Sequence, residues 1–250
     1  MDQDIAHPPP QILPFGADAL IVRFSVVPDP AANIAAQVFA GQVAALHLAG
    51  LVEIVPSLAS VLVRFDPAKT RRADIVAQLR PLADSRDWSL AAPPPAKRRW
   101  TIPAAFDGAF GPQFGEAAQQ AGRSETAALA DLTSARLRVL AIGFAPGQPY
   151  LGLLPEHWDL PRQQALTPQV PAGALVVALR QVVLFANPSA TGWRWVGQTA
   201  FRPFRADLDQ PFMLQTGDEV VFDPVDASTM SDLLAAGTDG ADRARLELLS

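Results

Sequence analysis

Apolar and polar positions along this chain fall into two different rhythms. Residues 19–27 form an apolar run closed by Pro28-Asp29-Pro30 and are expected to be a strand. Over residues 31–49 the apolar side chains Ile34, Val38, Val43, Leu46 and Leu48 recur with helical character, and Gly50 can close that helix. Residues 51–55 and 60–65 are short β-branched runs split by Pro56-Ser57, the pattern of an antiparallel hairpin. Asp66-Pro67 ends the second run. Ile75, Val76, Leu79 and Leu82 then predict a helix over about 71–85, and Trp88-Ser89-Leu90 a last strand. The order β-α-β-β-α-β is the split-βαβ plan of a ferredoxin-like domain, here within residues 11–91 of an N-terminal domain 1–91.

Tandem prolines make residues 92–97 a stiff, extended linker. Beyond it the rhythm changes. Residues 98–103 read as a strand, and 112–122 and 124–135 as two short helices, the second opened by Ser124 with Glu125 in its first turn. From 137 onward the chain is β-rich and interrupted by Pro and Gly, with strands expected at 137–142, 174–179, 182–186, 193–201 and 218–223. Many short strands separated by turns predict a closed or nearly closed antiparallel barrel over 98–226. Residues 228–236 are expected to be a small helix within a C-terminal tail, 227–250, whose last dozen residues are charged and loosely held. The fold class is α+β.

Composition narrows the chemistry. The 250 residues are 49% hydrophobic and 18% charged, which excludes a mainly disordered chain. Twenty basic against 25 acidic residues give a net charge of −5, so nucleic acid is not expected as a partner. With no cysteine, disulfides, thiolate metal sites and thiol nucleophiles are excluded. Met1-Asp2-Gln3-Asp4 lacks a secretory pattern, and no apolar run reaches membrane-spanning length, so a cytoplasmic protein with no membrane partner is expected. The 24 prolines, about twice the usual ~5%, limit long helices.

Familiar catalytic signatures are missing. There is no P-loop, no G-x-G-x-x-G after a strand and no G-x-S-x-G. His7, His47 and His157 are too scattered for a multi-histidine metal site, and no metal ligand set is expected. Asp207, Asp209, Asp218 and Glu219 read as turn and strand-end residues. Gly143-Phe144-Ala145-Pro146-Gly147-Gln148-Pro149-Tyr150-Leu151-Gly152 stands out, with three glycines, two prolines and the chain's single tyrosine. It is expected to be neither helix nor ladder strand. It is either a rigid plug of one barrel end or a ligand loop offering backbone N–H groups. Two further clusters accompany it, Pro168-Gln169-Val170-Pro171-Ala172-Gly173 and residues 191–199 around Trp193 and Trp195. The two tryptophans are expected on opposite faces, one in the core and one at a mouth.

These clusters, in order, resemble the allophanate hydrolase subunit 1 / kinase A inhibitor (KipI) family, which also contains the B subunit of bacterial 5-oxoprolinase. The resemblance rests on residues 143–152, Pro161-Arg162, Val170-Pro171-Ala172-Gly173, Gly192-Trp193 with Gly197 and Thr199, and Gly217-Asp218-Glu219-Val220-Val221-Phe222. Phe15-Gly16-Ala17-Asp18-Ala19-Leu20, Val52-Glu53-Ile54-Val55-Pro56 and Val61-Leu62-Val63-Arg64-Phe65-Asp66-Pro67 extend it over about residues 13–225. It implies an N-terminal ferredoxin-like domain and a C-terminal cyclophilin-like barrel. It also implies a subunit that acts with a larger partner of the allophanate hydrolase subunit 2 / KipA type. Their joint reaction is the ATP-dependent opening of 5-oxoproline, to glutamate, or of a related cyclic amide substrate. ATP with magnesium is expected only in the assembled complex. Other members are regulators that bind a sporulation histidine kinase, so a non-catalytic binding module is the alternative; an isomerase is suggested only by fold analogy.

The chain departs from the family at polar positions. A His-Ser pair becomes Leu132-Thr133, Gly-Pro-Asp-Leu becomes Gly111-Pro112-Gln113-Phe114, and G-F-P-Y becomes Gly147-Gln148-Pro149-Tyr150. G-x-Q-T-G-x-Y-P becomes Leu179-Arg180-Gln181-Val182-Val183-Leu184-Phe185-Ala186. A leucine cannot transfer a proton, and Val-Val in place of Thr-Gly removes a hydroxyl and disfavours a left-handed backbone. The expected site therefore has a wall of residues 143–150 (Phe144, Pro146, Gly147, Tyr150) and residues 171–173 (Pro171, Gly173) across an open barrel end. Gln181, Trp193 and Thr199 supply polar or stacking contacts, and Arg162 and Arg180 the anion contacts. No catalytic residue is assigned.

Overall fold

The computed structural model describes residues 9–27, 29–237 and 243–249. The chain divides into two compact units, 1–95 and 96–250.

In the first unit, β1 (Gln11–Phe15) and β2 (Ala19–Arg23) form a hairpin around Gly16, whose φ of 55° suits a residue without a side chain. α1 (Pro30–Ala45) starts where Asp29 accepts hydrogen bonds from the amides of Ala31 and Ala32, with Pro30 in the first turn. β3 (Leu51–Pro56), β4 (Ser60–Phe65) and α2 (Arg72–Ala83) follow. The sheet order is β1-β2-β4-β3, with every neighbour antiparallel. β2-α1-β3 with β4 inserted between them is the split βαβ. Leu20, Val22, Val61, Val63 and Phe65 pack there with Phe39 and Val43 of α1 and Ile75 and Leu79 of α2.

The fourth strand is not the expected one. Residues Trp88–Leu90 make a 3-10 turn capped by the Asp87 carboxylate on the Ser89 amide. The Trp88 indole packs edge-on against Phe24 and Phe39 and donates to the Ala83 carbonyl at 2.8 Å, which ties the turn to the helices. The outer strand comes instead from β1. Its Pro14 disguises it in the sequence but is tolerated at a sheet edge.

The second unit contains β5 (Arg98–Ala104), α3 (Phe114–Gln120), α4 (Glu125–Ser134), β6 (Leu137–Ile142), β7 (Pro149–Gly152), β8 (Thr167–Val170), β9 (Ala174–Ala178), β10 (Gln181–Leu184), β11 (Ser189–Thr191), β12 (Arg194–Gln198), β13 (Glu219–Pro224), α5 (Ala227–Ala235) and β14 (Arg245–Leu248). Eight strands form one sheet in the order β12-β9-β10-β7-β6-β13-β5-β14, and β8 pairs with β11 apart from it. The sheet curls far enough for Ala105, just past β5, and Gln198 of β12 to exchange hydrogen bonds of 2.9 and 2.8 Å. Strand alternation places Leu151, Leu175, Val177, Val182, Leu184 and Val196 in the main core, and Val176, Val183, Phe185 and Trp193 in a second layer on the other face.

Four expectations need correction here. The sheet is not wholly antiparallel, because β13 runs parallel to β5. Of the charged C-terminal residues, 245–248 are not loose: β14 pairs with β5, and Glu247 meets Arg99 at 3.2 Å, while residues 239–242 and 250 lie outside the described residues. Residues 143–152 are not all loop, since their second half is β7, paired with both β6 and β10. Trp193, just before β12, and Trp195, within it, pack against the same cluster instead of facing opposite ways.

Candidate functional site

The loop between β6 and β7 is closed by Gly143 donating to the Gln148 carbonyl (3.0 Å) and Gln148 to that of Ala145 (3.1 Å). Phe144, at φ 71°, stands 76% exposed at its tip, with Pro146 also exposed. Gly147 is buried at φ 70°. A Cβ there would lie 2.7 Å from the Phe204 Cβ, so only glycine lets the loop lie on the segment 203–204.

Gly173 is the second close approach. At φ 86°, it donates its amide to Phe185 at 2.7 Å and accepts from Thr199 at 2.9 Å. A Cβ would sit 2.1 Å from the Thr199 carbonyl oxygen, 2.9 Å from Gln198 Nε2 and 3.0 Å from Arg202 Nη1. Thr199 is buried, its hydroxyl accepting from the Phe201 amide at 3.1 Å. Pro171 is exposed just before this turn.

A chain of contacts links this corner to the rest. From Gly173 the path runs to Phe185, and the next amide, Ala186, donates to Gln148 Oε1 over a long 3.4 Å. The Gln148 side chain reaches the Tyr150 hydroxyl. The Tyr150 ring meets Trp193 edge-on, with centroids 6.2 Å apart at 78°, and the Arg162 guanidinium lies 5.7 Å from the Trp193 centroid. Burial raises the Tyr150 pKa, and the Arg162 charge and the Gln148 hydrogen bond pull it back down. The result is a polar and aromatic strip with an arginine at each end.

The strip gathers Gly147, Tyr150, Arg162, Gly173, Trp193 and Thr199 from the expected set and leaves five members outside: Phe144, Pro146 and Pro171 are exposed beside it, and Arg180 and Gln181 lie elsewhere. Arg180 and Gln181 sit at the far end of the β9–β10 hairpin from Gly173. Leu179 and Arg180 form its two-residue turn with φ of 52° and 61°, a type I′ geometry. The Arg180 Nε donates to the Leu154 carbonyl at 2.9 Å, which fixes it as a turn anchor. Gln181 is buried opposite Gly152.

Sequence reasoning missed Gln198 and Arg202. Gln198 is 3% exposed. Its Nε2 donates to the Ala172 carbonyl at 2.9 Å, and its Oε1 accepts nothing among the described residues. Arg202 has no hydrogen bond or ion pair among the described residues, and its Nη1 is closed off from solvent. Burial lowers its pKa with no carboxylate to counter the effect. The one available signal was their spacing around Thr199, which belongs to the motif of Gly197 and Thr199.

The departures from the family pattern are also explained locally. Leu132 is 1% exposed in the main core, Val182 faces the same core, and Val183 packs in the second layer. The left-handed backbone falls at Leu179 and Arg180 instead. Gln113 lies in an amide network, accepting from the Trp195 amide at 2.9 Å and donating to Gln163 at 2.7 Å. A separate open cleft of about 640 Å³ is lined by Phe106, Phe114, Leu129, Glu116 and Glu125 among others, and none of the strip residues borders it. Among the described residues, no three acidic or histidine side chains are grouped to hold a metal ion, and no helix is long and apolar enough to cross a membrane.

Comparison with known proteins bears on this geometry. The family described as carboxyltransferase domain, subdomain C and D, matches residues 10–214. The 5-oxoprolinase B subunit of Bacillus subtilis (strain 168) is 26% identical over 226 residues, covering 85% of this chain and 91% of that protein. The 5-oxoprolinase B subunit of Escherichia coli O157:H7 is 30% identical over 180 residues, covering 72% and 80%. The crystal structure of TTHA0988 matches with a TM-score of 0.67 at 27% identity, over 84% of this chain and 40% of that one, so this chain spans less than half of that polypeptide.

Proposed function

We propose, from the premise that this chain belongs to the carboxyltransferase subdomain C and D family together with the 5-oxoprolinase B subunit, that it is one subunit of an ATP-dependent hydrolase that opens a cyclic amide such as 5-oxoproline. The observation that carries this proposal is the likeness to that 5-oxoprolinase component over nearly the full length of both proteins.

An unstrained lactam resists hydrolysis because its amide is resonance-stabilised. ATP can activate the amide oxygen, and the charge that develops must be met by fixed donors. The strip supplies positive charge at both ends, Arg162 and Arg202, and an aromatic floor of Tyr150 and Trp193. It supplies neither a general base nor a nucleotide cradle of known type. Holding ATP and magnesium, and activating water, therefore fall to a larger partner subunit, and the active centre is composite. This chain's residues bind and orient the amide and shield it from bulk water.

A non-catalytic regulator is the second reading. It is favoured by Leu132 and Val182-Val183, which stand in apolar layers where the family pattern is polar. Co-expression with the larger subunit distinguishes the two. The enzyme reading expects one complex on size exclusion that releases glutamate from 5-oxoproline only with ATP. Failure to form that complex, with ATP-independent binding to another protein instead, would transfer the assignment to the regulator.

A further inference from the structure

We propose that Arg202, with Gln198 beneath it, is the receptor for an α-amido carboxylate, the group –NH–CH–COO⁻. This rests on the amide-hydrolase reading above and names the part of the substrate that this chain grips.

Arg202 is a half-buried guanidinium with no counter-charge among the described residues, and one of its nitrogens is shut off from water without an acceptor. Such a group is costly unless a partner arrives from outside the fold. Two other arginines of this unit have carboxylate partners: the buried Arg194 meets Glu116 at 2.9 Å, and the half-buried Arg98 meets Asp218 at 3.1 Å, although its Nε is also unpaired among the described residues. Gln198, only 3% exposed, carries a second unpaired polar atom, Oε1. The two side chains are neighbours across Gly173, reaching to 3.0 and 2.9 Å of the point its Cβ would occupy. Native folds leave few buried polar atoms unpaired, so an orphaned donor and an orphaned acceptor on two residues that meet at Gly173 mark a ligand's place.

The pair specifies the ligand. Arg202 needs an anionic acceptor, and Gln198 Oε1 needs a donor a few bonds away. Inorganic phosphate brings acceptors for Arg202 and only a P–OH for Gln198, so it serves as the competing probe in the titration. A plain lactam brings N–H but no charge for Arg202. A carboxylate on the carbon next to an amide nitrogen brings both, with the charge-assisted bond to the guanidinium as the stronger contact. Gly147 and its loop pack on residues 203–204, the segment that follows Arg202.

The isolated chain is titrated calorimetrically with 5-oxoproline, 2-pyrrolidinone and inorganic phosphate, in wild type, Arg202→Gln and Arg202→Lys. The expected result is saturable binding of 5-oxoproline, weakened about tenfold or more in Arg202→Gln and partly restored in Arg202→Lys, with the other two probes at least about tenfold weaker. Because Arg202 bonds to no described residue, Arg202→Gln should melt at or above the wild-type temperature; a structural role would lower it. In the reconstituted complex, Arg202→Gln should raise KM for 5-oxoproline and leave KM for ATP unchanged. Turnover with both constants unchanged in Arg202→Gln would overturn the receptor while sparing the hydrolase reading. Should no complex turn over, the titration still decides: phosphate binding in preference to 5-oxoproline, or equal binding by wild type and Arg202→Gln, overturns it.

Discussion

Gly173→Ala is the sharpest perturbation of the corner on which the strip depends. The added Cβ would lie 2.1 Å from a backbone oxygen, that of Thr199, with Gln198 and Arg202 within 3.0 Å on its other sides. A backbone oxygen cannot swing away as a side-chain tip can. The left-handed φ of 86° adds about 1–2 kcal/mol for any residue with a Cβ. Moving the turn also strains the bonds from Gly173 to Phe185 and from Thr199 to Gly173, each worth about 1 kcal/mol. The total is about 3 kcal/mol, which for a unit of this size corresponds to a melting shift of roughly 6–12 °C. Gly108→Ala is the conformational control, since φ is 51° and nothing lies within 4 Å of its Cβ. Gly143→Ala, with open space and an ordinary φ, is the neutral control. Tryptophan fluorescence during urea unfolding reads the second unit, because four of the five tryptophans (Trp100, Trp158, Trp193 and Trp195) lie in it. If Gly173→Ala unfolds within about 1 kcal/mol of Gly143→Ala, the close packing of residues 171–173 against 198–202 is refuted.

Three further outcomes are expected. Asp131 is held below the usual carboxylate range, since hydrogen bonds from His157, Trp158 and Arg123 outweigh the opposing effect of burial. A depressed folded pKa stabilises above the unfolded value of about 3.9 and loses that contribution as pH falls through the folded one. Asp131→Asn should therefore cost about 1–2 kcal/mol at neutral pH, with the gap to wild type closing below about pH 4 in urea melts; a gap independent of pH contradicts the ion-pair origin. Leu179→Asn should stabilise the chain by roughly 0.5–1 kcal/mol in the same melts, because asparagine tolerates the left-handed turn that leucine resists. Arg162→Ala should move the Tyr150 phenol further upward, removing the charge that offsets burial. With one tyrosine in the chain, ultraviolet titration of tyrosinate reads that group alone, and an unmoved midpoint would separate the two residues.

The parts legible in the sequence were those governed by periodicity. β6 coincides with its expected range, and α1, α2, α4, β4 and β13 fall within a few residues of theirs, because each buries one face at its own spacing. Prolines misled where tertiary context overrides them: Pro14 hides an edge strand, and Pro149 opens a strand inside the sheet. β14 escaped because a short charged strand looks like a tail until β5 offers it a partner. The glycines of the site were visible as glycines, and Gly147 and Gly173 prove to be close approaches. Which arginine serves the site was not visible. Arg180 and Arg202 both follow the rule of a basic residue beside a motif, yet one is spent on a carbonyl and the other has no partner among the described residues. That difference is set by packing between segments far apart in sequence.

On the proposed function, this chain completes an active centre that a larger subunit cannot complete alone. Glutamate release from 5-oxoproline with ATP, measured for the larger subunit at fixed concentration while this chain is titrated in, tests it directly. Activity should be absent without the chain, rise with added chain and level off at a fixed stoichiometry. A larger subunit that is fully active on its own, with no response to the chain, would contradict it.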